Sequence, residues 1–211
     1  MASKSKGITA RREREREALR QSILEAAREL FREQDYGSVT LRKIAERIEY
    51  SPTTIYLYFR DKHALVVELI AEGFERLRQR MLGAQSADPV ETLKRSSLEY
   101  LRFSQQEPHY YRLMFQLEDQ ELNERCREND QRLSESCFVF LTENIGRLRK
   151  AGQLRPELSD LTVAHLLWSG LHGAACLDLA NLLDRLPDAE RAVFFEQVVE
   201  QLAHSLTAGR A

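Results

Sequence analysis

Thr40-Leu41-Arg42-Lys43-Ile44-Ala45-Glu46-Arg47-Ile48-Glu49-Tyr50-Ser51-Pro52-Thr53-Thr54-Ile55-Tyr56-Leu57-Tyr58-Phe59-Arg60-Asp61-Lys62 reads as two short helices joined by a tight turn. Thr40 caps the first, its hydroxyl accepting an amide hydrogen otherwise unpaired in the first turn. Leu41, Ile44, Ala45 and Ile48 follow at spacings of three and four, so one stripe is apolar. Ala45 is small enough for a second helix to cross closely. Ser51 caps that second helix, and Pro52 suits its first position, where the missing N–H would be unpaired anyway. Ile55 and Phe59, four apart, face inward, which leaves Thr53, Thr54, Tyr56 and Tyr58 to point elsewhere.

Outward threonines do little for a helix, because a branched Cβ loses rotamer freedom there. Against duplex DNA these side chains have a use. Hydroxyls exchange hydrogen bonds with base edges, a threonine methyl meets a thymine methyl, and a tyrosine OH reaches a phosphate. Arg42, Lys43, Arg60 and Lys62 lie around them, placed to neutralise the DNA backbone. A helical hairpin inside some other all-α domain would also give two helices, but it does not account for the Pro-Thr-Thr-Ile-Tyr-x-Tyr-Phe string.

The segment resembles the tetracycline-repressor-like (TetR/AcrR) family of bacterial transcription regulators. The matching positions are Thr40, Ile44-Ala45, Ser51, Thr54-Ile55-Tyr56, Tyr58-Phe59, Lys62 and Leu65, with the leading helix Ile23 to Phe31 and the Gly37 that would end it. The likeness is strong over residues 18–70. It implies an all-α chain of about nine helices, with an N-terminal three-helix helix-turn-helix domain and a C-terminal effector-binding and dimerisation domain. Carried over by position, it implies Thr53, Thr54 and Tyr56 as base readers and Thr40, Tyr56, Tyr58 and Lys62 as phosphate contacts. With Arg42, Lys43 and Ser51 these make up the expected DNA-binding set. Glu49 departs from the pattern, since the turn usually carries glycine. A left-handed residue there would cost about 1–2 kcal/mol, so either the turn is drawn differently or the rest of the domain offsets the strain.

Charge is unevenly distributed. Residues 1–62 hold 14 Lys/Arg and 10 Asp/Glu, against 31 and 33 in the whole chain, so the first part is net +4 and the remainder net −6. A basic head on an acidic body is the electrostatic footprint of a DNA-binding domain attached to one that does not bind DNA. The 211 residues allow one or two domains, taken here as 1–64 and 65–211. No apolar run approaches the ~20 residues of a membrane span, and Met1 to Lys6 lacks a secretory apolar stretch; a cytoplasmic protein is expected. Cys126, Cys137 and Cys176 are odd in number and scattered, which suits free thiols better than a disulfide framework; a ligand-sensing or redox role for one of them stays open.

The arm Lys4 to Arg12 is basic and short of core residues, so it is expected to be mobile without DNA, either tracking phosphates or the minor groove or serving as a solvated tail. The alternating Arg12 to Glu17 run reads as exposed first turns of helix 1. Beyond the head, Asp61 caps a helix through Leu65, Leu69, Phe74, Leu77 and Met81. Asp88-Pro89-Val90-Glu91 restarts a helix that Glu107-Pro108 breaks. A short aromatic segment, His109 to Phe115, precedes a charged stretch from Glu118 to Glu128 and a long helix to about Ala151, stopped by Gly152. Two final helices are expected over 161–183 and 188–206, with Gly209 after them. The first is apolar around most of its circumference, so it needs burial on more than one side; a second copy of the chain is the simplest supplier, and Gly170, Gly173 and Ala174 would let it approach. The resemblance implies a homodimer through these last two helices.

An effector pocket, implied by the resemblance, would be lined by Phe103, His109, Tyr110, Tyr111, Met114, Phe115, Phe138, Leu141, Trp168 and His172, although such residues serve equally as core. The effector would be a small molecule with an apolar part. Of His165, His172 and Cys176, only the last two could share a metal ion, and no metal or other cofactor is expected. No phosphate loop, nucleophile elbow or zinc-protease pattern is present, so no catalytic residue is expected. The function expected is a ligand-responsive repressor binding a palindromic operator as a dimer; a DNA-binding architectural or adaptor protein without an effector is the alternative.

Overall fold

Short polar side chains set the helix starts. In the computed structural model, which describes residues 2–117 and 119–207, Thr40, Ser51, Asp61 and Asp88 accept from the amides of Lys43, Thr54, Ala64 and Val90 at 3.2, 3.2, 2.8 and 2.9 Å. Each is the cap expected from its spacing to the next apolar residue.

The head comprises α1 (Ala2–Glu33), a 3-10 turn (Tyr36–Ser38), α2 (Leu41–Arg47) and α3 (Pro52–Tyr56). Its core is Ile23, Ala27, Leu30, Val39, Ile44, Ala45, Ile55 and Phe59, all buried. The body comprises α4 (Lys62–Gly83), α5 (Pro89–Gln106), α6 (Pro108–Phe115), α7 (Gln120–Lys150), α8 (Asp160–Leu179), α9 (Asp188–Ala192) and α10 (Phe194–Leu206). Helices α4, α5 and α7 pack on one another, α8 packs on α5 and α7, α10 covers α5 and α8, and α6 wedges between α1 and α4. Among the described residues, one bridge pairing Leu154 with Thr207 is the whole of the extended pairing. No described helix is long and apolar enough to cross a membrane.

Several boundaries differ from the sequence reading. The basic arm is continuous with α1, which begins at Ala2. Helix α1 ends at Glu33, and Gly37 falls in the 3-10 turn instead of terminating it. Helix α7 begins at Gln120, because Asp119 caps it and Leu122 buries into the core; polar neighbours do not prevent a helix that docks one face. Helix α8 ends at Leu179, where Asn181 turns left-handed (φ 54°) and the Leu182 amide donates to the Leu177 carbonyl at 2.9 Å. The final segment breaks at Val193 into α9 and α10. Helix α4 runs through residue 64, so the boundary expected there lies inside one continuous helix. Gly209 lies outside the described residues.

Glu49 is left-handed, with φ 59°. The Tyr50 amide donates to the Ala45 carbonyl at 3.0 Å, closing the helix end that a glycine usually makes. The small residues of α8 divide differently from expectation. A Cβ on Gly170 would lie 2.7 Å from the Leu202 side chain of α10, so Gly170 admits a helix of its own subunit. Ala174 is buried within the subunit, whereas Gly173 faces open space.

Candidate functional site

Helix α3 is held by one buried side. Ile55 and Phe59 fix it against the head core, and Thr53, Tyr56 and Leu57 project outward, Tyr56 57% and Leu57 72% exposed. Tyr50, just before the cap, is also exposed. Two large apolar side chains standing in water beside a basic head call for a partner surface. Leu57 and Tyr50 were not among the sequence candidates. The signal was available: once Ile55 and Phe59 are inward, position 57 faces away from both.

The other candidates differ in availability. Ser51 and Thr54 bond each other, Oγ to Oγ1 at 2.9 Å, so the Thr54 hydroxyl turns back to the cap. Thr40, Arg42 and Lys43 are exposed; Arg42 pairs with Glu46 at 2.9 Å and Lys43 donates to Gln34 at 2.9 Å. Tyr58 is half-buried under the Arg16 guanidinium, 6.0 Å from its ring centre. Lys62 is engaged within the subunit. Its ammonium donates to the Tyr36 carbonyl and sits 3.6 Å from the centre of the Tyr36 ring. Burial lowers its pKa, with Asp119 opposing. Lys62 thus ties the start of α4 to the 3-10 turn of the head, its side chain half-buried against Tyr36.

Within the body, a cavity of about 280 Å³ lies among α4, α5, α6, α7 and α8. Phe74, Leu77 and Met81 of α4, Tyr100 of α5, Met114 and Phe115 of α6, Phe138 and Leu141 of α7 and Trp168 of α8 form most of its wall. Five expected effector residues are therefore brought together: Met114, Phe115, Phe138, Leu141 and Trp168. The other five are placed elsewhere. Phe103 is buried beneath Arg80. His109 and Tyr110 face the α1–α4 side, where Arg76 lies 5.1 Å over the Tyr110 ring. Tyr111 and His172 stand behind the wall, with the Tyr111 OH 2.7 Å from His172 Nδ1. Adjacent residues of α6 point in directions about 100° apart, so one aromatic run cannot line one cavity. Tyr100 connects wall and backing: its OH accepts from Trp168 Nε1 at 3.2 Å and meets the Tyr111 OH at 3.0 Å. Burial pushes the Tyr100 pKa up to about 12 and that of the cavity thiol, Cys137, to about 11; burial also lowers that of His172. His172 Nε2 lies 3.5 Å from Cys176 Sγ, so that pair is in reach, while His165 bonds its own helix at Leu161.

A family model described as "Bacterial regulatory proteins, tetR family" matches residues 23–69, and one described as "Tetracyclin repressor-like, C-terminal domain" matches residues 93–202. The chain belongs to the tetR family of bacterial regulatory proteins. TetR-family members are DNA-binding regulators and form homodimers. Over 89 residues this TetR-family chain is 32% identical to the HTH-type transcriptional repressor KstR of Rhodococcus jostii, an overlap of 42% of either protein. Solved structures that share the fold include two regulators. NalD of Pseudomonas aeruginosa, a secondary repressor of the MexAB-OprM multidrug efflux pump, superposes with a TM-score of 0.70 at 21% identity, over 93% of this chain and 100% of that one. The fatty acid degradation regulator FadR of Bacillus halodurans gives 0.69 at 19% identity, over 90% and 95%.

In this TetR-family protein, head and body are joined by charge. Arg28 bridges Glu25 of its own helix and Glu72 of α4, the latter at 3.1 Å, and Arg20 pairs with Glu68. Asp119, at the start of α7, accepts from the Leu122 amide, the Tyr36 OH at 3.2 Å and His63 Nε2 at 3.0 Å. Those bonds, the Leu122 amide first, hold its carboxyl below the usual range against the effect of burial.

Proposed function

We propose that the protein is a repressor that binds a palindromic operator as a homodimer and leaves it when a small molecule fills the body cavity. The exposed outer side of α3, with Thr53, Tyr56 and Leu57 standing clear of the subunit, carries this reading. A helix so presented fits the major groove, and two copies about 34–36 Å apart match successive grooves. Thr53, Tyr56 and Leu57 read bases; Thr40, Arg42, Lys43, Ser51, Thr54 and Tyr58 lie around the backbone contacts. Residues 1–64 serve as the DNA-binding unit and 65–211 as the effector and dimer unit.

The partner subunit docks on α8 and α10. Leu166, Gly173 and Leu177 lie on the outward side of α8, and a symmetric partner would remove this apolar surface from water. Helix α4 connects cavity to head: it supplies Phe74, Leu77 and Met81 to the wall and its first residues to the Tyr36–Asp119 junction. A ligand preferring another tilt of α4 would shift the heads away from operator spacing, by no more than its differential affinity for the two states. The cavity favours this over an adaptor without effector. Operator selected from random duplexes, followed by anisotropy at two salt concentrations, tests the reading. A specific complex of two chains per site with a steep salt slope is expected; sequence-independent binding alone would refute it.

A further inference from the structure

Among the described residues, fourteen wall the body cavity, and none of these is Asp, Glu, Lys, Arg or His. Its polar groups are Ser96, Ser97, Tyr100, Cys137 and the indole of Trp168. All but one are engaged within the protein. Ser96 donates to the Leu93 carbonyl at 3.2 Å, and Trp168 donates to Tyr100. The Tyr100 OH also meets Tyr111 and, at 3.2 Å, His172 Nδ1. The Cys137 thiol donates to the Phe74 carbonyl at 3.5 Å. The exception is Ser97, 4% exposed, whose hydroxyl has no partner among the described residues. Helical serines commonly bond back to a carbonyl one turn earlier, as Ser96 and Ser104 of the same helix do. Ser97 leaves its hydroxyl on the cavity instead.

We infer that the effector is an uncharged, mostly apolar molecule whose single polar group pairs with the Ser97 hydroxyl. This rests on the reading of the cavity as the effector site. Among the described residues, an enclosed carboxylate would meet no cation and one free hydroxyl, far too little to replace its hydration. An enclosed cation would meet aromatic faces but, among the described residues of the wall, no carboxylate to balance it; the nearby Glu75 is already paired with Arg78 at 2.8 Å. The volume is small for a ligand pocket, which excludes bulky polyanionic conjugates from full enclosure. A neutral body with one hydroxyl or carbonyl satisfies every wall group.

Three probes sharing one nonyl chain separate the possibilities: 1-nonanol, nonanoate and nonyltrimethylammonium. The full chain contains a single tryptophan, Trp168, which stands in the wall, so its emission reports occupancy directly. At pH 7, nonanol is expected to shift the emission and bind at least tenfold more tightly than either charged probe. Ser97→Ala is expected to weaken nonanol three- to tenfold while leaving the melting temperature unchanged or higher, because no internal hydrogen bond is lost. Equal or tighter binding of a charged probe overturns the neutral-effector inference but keeps the cavity as the site. Unchanged nonanol affinity in Ser97→Ala overturns the anchor assigned to Ser97. No response of Trp168 to any probe overturns the cavity as effector site as well.

Discussion

Arg125 of α7 holds both carboxylate oxygens of Asp61, at 2.9 and 2.8 Å, through one guanidinium nitrogen, and Asp61 is the residue that caps α4. The first turns of α7 thereby fix the residue at which α4 begins and the head meets the body. Burial would raise the Asp61 pKa, but Arg125 and the Ala64 amide outweigh it and the net shift is downward. Arg125→Ala removes the tether and leaves the cap intact. Operator affinity is expected to fall about three- to tenfold, since looser heads lose more freedom on binding, with the melting temperature only slightly lower. Anisotropy and calorimetry on the same variant check both outcomes; unchanged affinity would show that the tether does not position the heads.

Lys62→Ala is expected to act through the fold. Its ammonium lies on the Tyr36 carbonyl and ring, so truncation lowers the melting temperature, while the slope of log affinity against log salt stays as in the wild type. Lys43→Ala, at an exposed side chain, should reduce that slope by about 1 without a stability change. The reverse pattern would return Lys62 to the phosphate contacts.

Glu49→Gly tests the strained turn. Relief of a left-handed non-glycine residue gains about 1–2 kcal/mol, and the greater freedom of glycine in the unfolded chain takes back about 0.4–1 kcal/mol. A net gain of about 0.5–1 kcal/mol is expected in denaturant unfolding. A loss would mean that the Glu49 side chain contributes more than its φ of 59° costs.

His109 makes stability depend on pH. The ring is 4% exposed and, among the described residues, Nε2 has no hydrogen-bond partner. Burial, reinforced by Arg32, Arg76 and Arg28 and opposed by Glu72, lowers its pKa to about 4; Glu107 lies 3.8 Å away. The unfolded chain binds a proton near pH 6.5 and the folded chain does not, so the contribution is complete above that value and shrinks as pH falls towards 4. His109→Gln is expected to flatten the stability profile between pH 6.5 and 4 by about 1–3 kcal/mol relative to wild type. Parallel profiles would show that His109 titrates normally.

The head was legible because its determinants are local. Thr40, Ser51 and Asp61 cap within three residues of themselves, and the inward pair Ile55 and Phe59 needs only helical spacing to define which side of α3 is outward. The extent of α7 was not legible, because the burial of Leu122 and the Arg125–Asp61 pair that anchor its first turns exist only once α4 and the head are in place to receive them. The cavity was half legible. Met114, Phe115, Phe138, Leu141 and Trp168 follow from apolar character, whereas Tyr100, Ser97 and Cys137 owe their places to how five helices rotate about their axes.

From its residues alone this chain determines a basic helix-turn-helix head, its caps and the side of α3 left outward, since backbone capping and 3.6-residue periodicity act over a single turn. Only the tertiary structure decided that Lys62 turns inward, that Gly170 admits Leu202 of its own subunit and that Ser97 faces an empty space. Those outcomes depend on which surfaces meet across long stretches of chain, and close packing of helices sets them by shape, to which single-turn patterns are blind.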